Sequence, residues 1–184
     1  IPRIKNTPSS YYMDDFNVIM SFTYPVKKFD LTNDSDRDCS FHYWAKENHD
    51  TVRPLVQTKL KSLKDKFNLN LDILSNFPRS LRNFLCEINV PGRGKACIRH
   101  LECLSNSCLM LAHEDIQHTY FLPNDEMLKP NEDYILFNIN NLEEKMDFIN
   151  SNIGLCNQIR RNSHQKFLKS YCPETTAITF NSKL

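Results

Sequence analysis

The chain has very little glycine: only Gly92, Gly94 and Gly154 occur among its 184 residues. Glycine-rich loops that wrap phosphate groups are therefore not expected, and tight hairpin turns should be few. An excess of one charge is missing as well, because 23 Lys and Arg face 22 Asp and Glu and leave a formal net charge of +1. Without a sustained basic field, the composition argues against a nucleic-acid binder and against a binder of anionic membranes.

Long apolar runs are also missing. No stretch approaches the roughly 20 consecutive apolar residues that a spanning helix requires, so we expect no membrane insertion. Hydrophobic residues still make up 40% of the chain, which is enough for a core. The length predicts a single domain over 1–184, with loose ends at 1–10 and 173–184.

Cysteine, by contrast, is plentiful, and its usage predicts a secreted, extracellular domain braced by about three disulfides. The disulfide candidates are Cys39, Cys86, Cys97, Cys103, Cys108, Cys156 and Cys172. Because seven is an odd number, one thiol stays free or links two chains as a dimer. A glycosylation sequon at Asn33 agrees with secretion.

Apolar residues recur at helical steps of three and four over most of the chain. The predicted helices span 52–67, 77–88, 95–112 and 142–172. Long connections precede the helices at 52 and 142, as in cytokine bundles, and the run 134–139 is typical of a strand. The run 16–24 fits a strand or a further helix equally well. The predicted fold class is therefore mainly α: a disulfide-braced four-helix-type bundle with long connections, with one short two-stranded β pair left open.

No catalytic arrangement is recognisable. The six histidines are scattered, and none lies in a known nucleophile motif. His113 and His118 resemble the pair of a zinc protease, but five residues of helix place them about 140° apart. The sequence therefore predicts a protein that is not an enzyme and needs no cofactor.

A rigid bundle without a pocket motif predicts a protein that binds another protein. The expected function is that of a secreted, cytokine-like or growth-factor-like signalling ligand of a cell-surface receptor. Receptor contacts are expected on exposed faces of the helices at 52 and 142: Arg53, Gln57, Lys61, Arg160, Arg161, His164 and Lys169. A secreted effector of salivary, parasite or reproductive origin, bound to a host or partner protein, stays open as an alternative.

Two patterns favour an intracellular protein instead. The first is a set of zinc-ligand types within twelve residues: Cys97, His100, Cys103 and Cys108. The second is the C-terminal Ser182, Lys183 and Leu184, which match a peroxisomal import signal. Either one would imply reduced cysteines.

Overall fold

The structure is a computed structural model that describes residues 34–45, 52–75, 77, 79–91, 98–119 and 128–170. Its elements, in chain order, are β1 (Phe41–His42), α1 (Val52–Leu63), β2 (Leu69–Asn70), β3 (Cys86–Asn89), α2 (Ile98–Ser105), β4 (Leu109–His113), β5 (Ile135–Phe137), α3 (Leu142–Ser151) and α4 (Ile153–Ser170). Two 3₁₀ helices, Arg79–Asn83 and Glu114–Thr119, lead into β3 and follow β4. Among the described helices, none is long and apolar enough to cross a membrane.

The centre of the fold is a five-stranded sheet in the order β2-β1-β3-β4-β5, in which every pairing is parallel. The chain moves outward from β1 to β2 and then returns to the other side of β1 to begin β3. The strand order therefore reverses between β1 and β3. In open α/β sheets, ligands bind at such a reversal, beside the carboxyl ends of the strands.

The predicted helical bundle is wrong, because β3 and β4 are strands of this sheet. All four residues of β3 and all five of β4 are buried, since helices cover both faces of the sheet. A strand buried on both faces shows no alternation of apolar and polar residues, so its apolar run resembles a helix. The helix predicted over 77–88 is a 3₁₀ helix followed by β3, and the helix predicted over 95–112 is α2 followed by β4.

The remaining elements are closer to the prediction. The helix expected at 52–67 is confirmed as α1, although it ends at Leu63. The helix expected at 142–172 is present as two helices, α3 and α4, which are separated at Asn152. The strand expected within 134–139 is confirmed as β5, but it belongs to the five-stranded sheet and not to a two-stranded pair. The run 16–24 and both predicted loose ends lie outside the described residues.

The prediction of a disulfide-braced fold is also wrong for the described residues. The described cysteines carry free thiols: Cys39, Cys86, Cys103, Cys108 and Cys156. All but Cys39 are buried, where each fills space as a small apolar side chain. Burial raises the pKa of Cys39 to about 11 and that of Cys156 to about 12, which keeps both thiols protonated. The other two candidates, Cys97 and Cys172, lie outside the described residues.

The sheet separates two apolar cores. One face packs against α1, α3 and the start of α4, and the opposite face packs against α2 and the end of α4. Helix α4 therefore passes from one face to the other: its Cys156 and Ile159 belong to the first core, and its Phe167 belongs to the second. The crossing lies beside the amino ends of the strands, where Arg160 meets the residues that precede β1 and β4.

Arg160 is fully buried at this crossing and donates hydrogen bonds to four residues. Its Nη1 donates to the carboxylate of Asp34 and to the Ser107 hydroxyl at 3.0 Å. Its Nη2 donates to the carbonyl of Ser35 at 2.8 Å, and its Nε donates to the side-chain oxygen of Asn157 at 2.7 Å. The ion pair with Asp34 thus anchors the segment before β1 to α4.

We expect Arg160→Met to lower the free energy of unfolding by about 3–5 kcal/mol, because it leaves the buried Asp34 carboxylate without its main partner. The matched control is Arg161→Met, one residue further along α4. Arg161 is 34% exposed and pairs with Asp36, which is 69% exposed; its Nε lies 3.6 Å from the Asp34 carboxylate, a longer contact than that of Arg160. The loss should therefore be at most about 1 kcal/mol. Urea unfolding followed by far-ultraviolet circular dichroism compares the two. Equal losses would contradict a special role for Arg160.

Candidate functional site

Polar side chains collect at the carboxyl ends of β1 and β3, where the strand order reverses. His42 and Glu87 are direct neighbours in the β1–β3 pairing, and both side chains are fully buried. Their preceding residues, Phe41 and Cys86, belong to the core on the α1 side. Because side chains alternate along a strand, His42 and Glu87 lie on the α2 side.

His42 is fixed by two hydrogen bonds. Its Nε2 lies 3.1 Å from the carbonyl oxygen of Asp72, and a carbonyl can only accept, so Nε2 carries a proton. Its Nδ1 makes a short contact with Oε2 of Glu87. That contact requires one proton between the two atoms, which His42 and Glu87 therefore share.

Glu87 does not act as a simple counter-ion in this arrangement. Burial raises its pKa above the usual value, and this effect outweighs the opposing influence of His42 and Arg99. With one proton shared and a second on Nε2, the His42–Glu87 pair is neutral overall. The carboxylate charge is already balanced by the imidazole, so the positive charge of Arg99 is left without compensation.

Arg99 is the second residue of α2, and its guanidinium is held over two aromatic rings. The centroids of Trp44 and Phe77 lie 5.5 Å from its Cζ. Its Nη1 donates to the carbonyl of Trp44 and, at 3.4 Å, to Oε1 of Glu87. Within the part of the chain that the structure describes, its Nε and Nη2 have no hydrogen-bond partner. A positioned guanidinium with free N–H groups suits a phosphate or carboxylate ligand.

The start of α2 adds to this positive potential. The first N–H groups of a helix lack partners within the helix and carry a partial positive charge. No acidic residue lies in the first turn of α2, where Arg99 places a cation that the helix dipole disfavours. An anion at this position would satisfy both features. The connection from β3 to α2, whose structure is not described, contains Gly92, Arg93, Gly94 and Lys95 in its sequence.

Two further buried polar residues lie on β3 and α2. Asn89, the last residue of β3, is fully buried; its Nδ2 donates to the carbonyl of Glu87 at 3.4 Å, and its Oδ1 has no partner among the described residues. His100, on α2, is 4% exposed. Burial, assisted by the charge of Arg99, lowers the pKa of His100 to about 3, so it is neutral at physiological pH.

Another histidine, His113, lies at the end of β4, on the same edge of the sheet. The Nδ1 of His113 accepts the backbone N–H of Asp115 at 3.3 Å, and its ring packs edge-on against Phe137 at 5.3 Å. The spacing analysis places His113 on a helix, and the structure places it at a strand end. The side chain of His118 is not described.

The predicted receptor contacts do not form one exposed surface. Arg160 and His164 are fully buried, which corrects the expectation that they are exposed; Nδ1 of His164 lies 2.6 Å from the carbonyl oxygen of Leu104. Arg53 is partly buried, and its Nε donates to the carbonyl of Pro91 at 2.9 Å. The remaining members, Gln57, Lys61, Arg161 and Lys169, are partly buried or exposed.

The described residues of the alternative zinc set do not form a metal site. Its described members divide between helix α2 (His100, Cys103) and the residue before β4 (Cys108), where the Cys103 thiol donates to the Cys108 carbonyl at 3.1 Å. Across the described ranges, no group of three or more His, Cys, Asp or Glu side chains could hold a metal ion. Cys97, Asn33 and the C-terminal Ser182, Lys183 and Leu184 all lie outside the description.

No protein-family model matches the sequence, and no curated protein matches it either. Among solved structures, the chain is similar to TarM, with a TM-score of 0.49 and 16% sequence identity. The similarity covers 78% of this chain and 28% of the TarM chain.

The prediction of a cytokine-like signalling ligand is wrong, because it depended on a helical bundle and on disulfides. The chain folds around a parallel α/β sheet, and the cysteines that the structure describes carry free thiols. The prediction that it is not an enzyme does not stand either. That prediction relied on the lack of a local motif, whereas this fold collects its polar groups from distant segments.

Sequence analysis missed the four residues that define this edge: His42, Glu87, Asn89 and Arg99. One signal could have found them. The apolar run that ends at Asn89 is followed by two glycines and two cations and then by a helical pattern. A strand, a glycine-bearing connection and a helix in that order are typical of ligand-binding turns in α/β proteins.

We expect Glu87→Gln to fold with a stability within about 1 kcal/mol of the native protein at pH 5. Its amide can donate to His42 and accept from Arg99, as the protonated acid does. Glu87→Ala removes both contacts and should cost roughly 2–4 kcal/mol. Urea unfolding of the two variants gives the comparison, and similar losses in both would contradict the shared proton.

The same substitution should change how stability depends on pH. Because the pKa of Glu87 is raised on folding, its contribution is complete below about pH 4.5 and is lost as pH rises through the folded pKa. Glutamine does not ionise. The native protein should therefore lose stability relative to Glu87→Gln as pH rises above 5, measured by urea unfolding at each pH. A constant difference would show that Glu87 is not protonated in the fold.

Proposed function

We propose that this chain is the ligand-binding α/β domain of an enzyme and that it binds the phosphate groups of a nucleotide-type ligand at the carboxyl ends of β1 and β3. Topology supports the location, because open parallel sheets bind ligands at the reversal of strand order. The reversal lies between β1 and β3, and the helix that follows β3 begins at Ile98 beside this edge.

The observation that carries the proposal is the state of Arg99. Its charge is not cancelled by Glu87, because Glu87 shares a proton with His42. Its guanidinium is fixed by Trp44 and Phe77, so little side-chain entropy is lost when a ligand binds. The free edge of a fixed guanidinium can donate two parallel hydrogen bonds to a phosphate group.

Such a site also suits a chemical step. In group transfer from a phosphate-linked donor, negative charge develops on the departing phosphate as the bond to the transferred group breaks. A guanidinium and helix N–H groups stabilise that charge without rearrangement.

Trp44 provides a direct test, because it is the only tryptophan in the chain and its ring contacts Arg99. Titration with a nucleoside diphosphate should change its fluorescence, and calorimetry should give the affinity. Arg99→Met should weaken binding roughly 10- to 100-fold, as expected for the loss of a charge-assisted hydrogen-bond pair.

The control is Lys61→Met, which removes the same charge from the exposed face of α1 and should leave the affinity within twofold. Arg99→Lys keeps the charge without the planar pair of donors and should bind more weakly than the native protein. If the native protein binds no phosphate compound at millimolar concentration, or if Arg99→Met binds normally, the proposed function is wrong.

A further inference from the structure

We infer that Asn89 selects the ligand: its Oδ1 accepts a hydrogen bond from a neutral O–H or N–H group of the molecule whose phosphate binds Arg99. The inference rests on the proposed function. It makes Asn89 a specificity-determining residue that distinguishes a nucleotide from a bare phosphate or pyrophosphate.

The first observation is the unpartnered acceptor. Asn89 is 0% exposed, and no hydrogen bond from the part of the chain that the structure describes reaches its Oδ1. A buried carbonyl oxygen without a donor is costly, and folded proteins rarely retain one unless it has a role. An apolar side chain of similar size would avoid that cost, so the position favours an acceptor that a ligand completes.

The second observation is the direction of the amide. The Nδ2 of Asn89 donates backward along the strand to the carbonyl of Glu87 at 3.4 Å. Because the oxygen of a planar amide lies on the other side of the carbonyl carbon from the nitrogen, Oδ1 faces away from that contact. Because Asn89 lies two residues after Glu87, its side chain lies on the same α2 face of the sheet, at the carboxyl end of β3.

The third observation is that Asn89 and Arg99 share a neighbour, Glu87. Arg99 and Asn89 both contact Glu87, the former through the carboxylate and the latter through the backbone carbonyl. The neighbour of Asn89 on β4 is Ala112, whose methyl group occupies little of the space beside the amide. The inference requires one small molecule to contact both residues.

The chemistry of the two groups defines the ligand class. Arg99 supplies donors and a positive charge, and Oδ1 of Asn89 supplies an acceptor that repels phosphate oxygens. The ligand must therefore place a phosphate at Arg99 and a neutral donor at Asn89. Ribose hydroxyls and base N–H groups of a nucleoside diphosphate meet this requirement, whereas pyrophosphate has no neutral donor group.

The test compares two probes, a nucleoside diphosphate and pyrophosphate, by calorimetry with the native protein and Asn89→Leu. Asn89→Leu should weaken the nucleoside diphosphate about tenfold, as one lost hydrogen bond predicts, and should leave pyrophosphate within twofold. It should not lower the thermal midpoint, because it removes an unsatisfied buried acceptor. Asn89→Ala is the second variant, used if leucine prevents folding, with the same expected difference between probes.

The outcomes separate this inference from the proposed function. If both probes weaken equally, or neither does, Asn89 does not read a donor and the inference is overturned. If pyrophosphate binds and Arg99→Met abolishes that binding, the proposed phosphate site stands whatever Asn89 does. If Arg99→Met leaves pyrophosphate binding unchanged, the proposed function fails, and the role of Asn89 fails with it.

Discussion

The buried ion pair between Arg160 and Asp34 holds the amino edge of the sheet together. In a parallel sheet all the strands begin at one edge and end at the other, so the two edges can take different tasks. At the amino edge, Arg160 satisfies Asp34 together with the polar groups of Ser35 and Ser107, and α4 covers the strand ends. Because that edge fixes the strands, the carboxyl edge can keep polar groups that the protein itself does not satisfy.

Arg160 at the amino edge and Arg99 at the carboxyl edge show the difference between the two edges, because both are guanidinium groups beside a carboxylate. Arg160 is 0% exposed and its partner Asp34 is 5% exposed, so its charge is balanced within the fold. Arg99 is 21% exposed, and its acidic neighbour Glu87 shares a proton with His42. Two arginines beside a carboxylate therefore differ in how fully their charge is balanced, and the cause is one imidazole. The first arginine stabilises the structure, and the second retains a charge and N–H donors that a ligand can use.

The sequence predicts the elements whose burial is one-sided and misses those whose burial is two-sided. Helix α1 and the helices after residue 141 show a regular apolar stripe, because one side of each faces solvent. Strands β3 and β4 are buried on both faces, so their apolar pattern is the same as that of a buried helix. Only their pairing with neighbouring strands shows that they are strands. The site is harder still, because His42, Glu87 and Arg99 come together through strand pairing and the return of α2. No short motif contains them.

Net charge and glycine content describe the whole chain, whereas binding of a phosphate group depends on the residues that lie within a few ångströms of it. A formal charge of +1 does argue against a long polyanion, which needs many cations along its path. It says little about a single phosphate, because charges further apart than about 8 Å are largely screened at physiological salt. Similarly, the small number of glycines argued against a glycine-rich loop that wraps a phosphate group. Two of the three, Gly92 and Gly94, nevertheless fall between β3 and α2 in the sequence. The distribution of these residues along the fold, and not their number, decides what the carboxyl edge can bind.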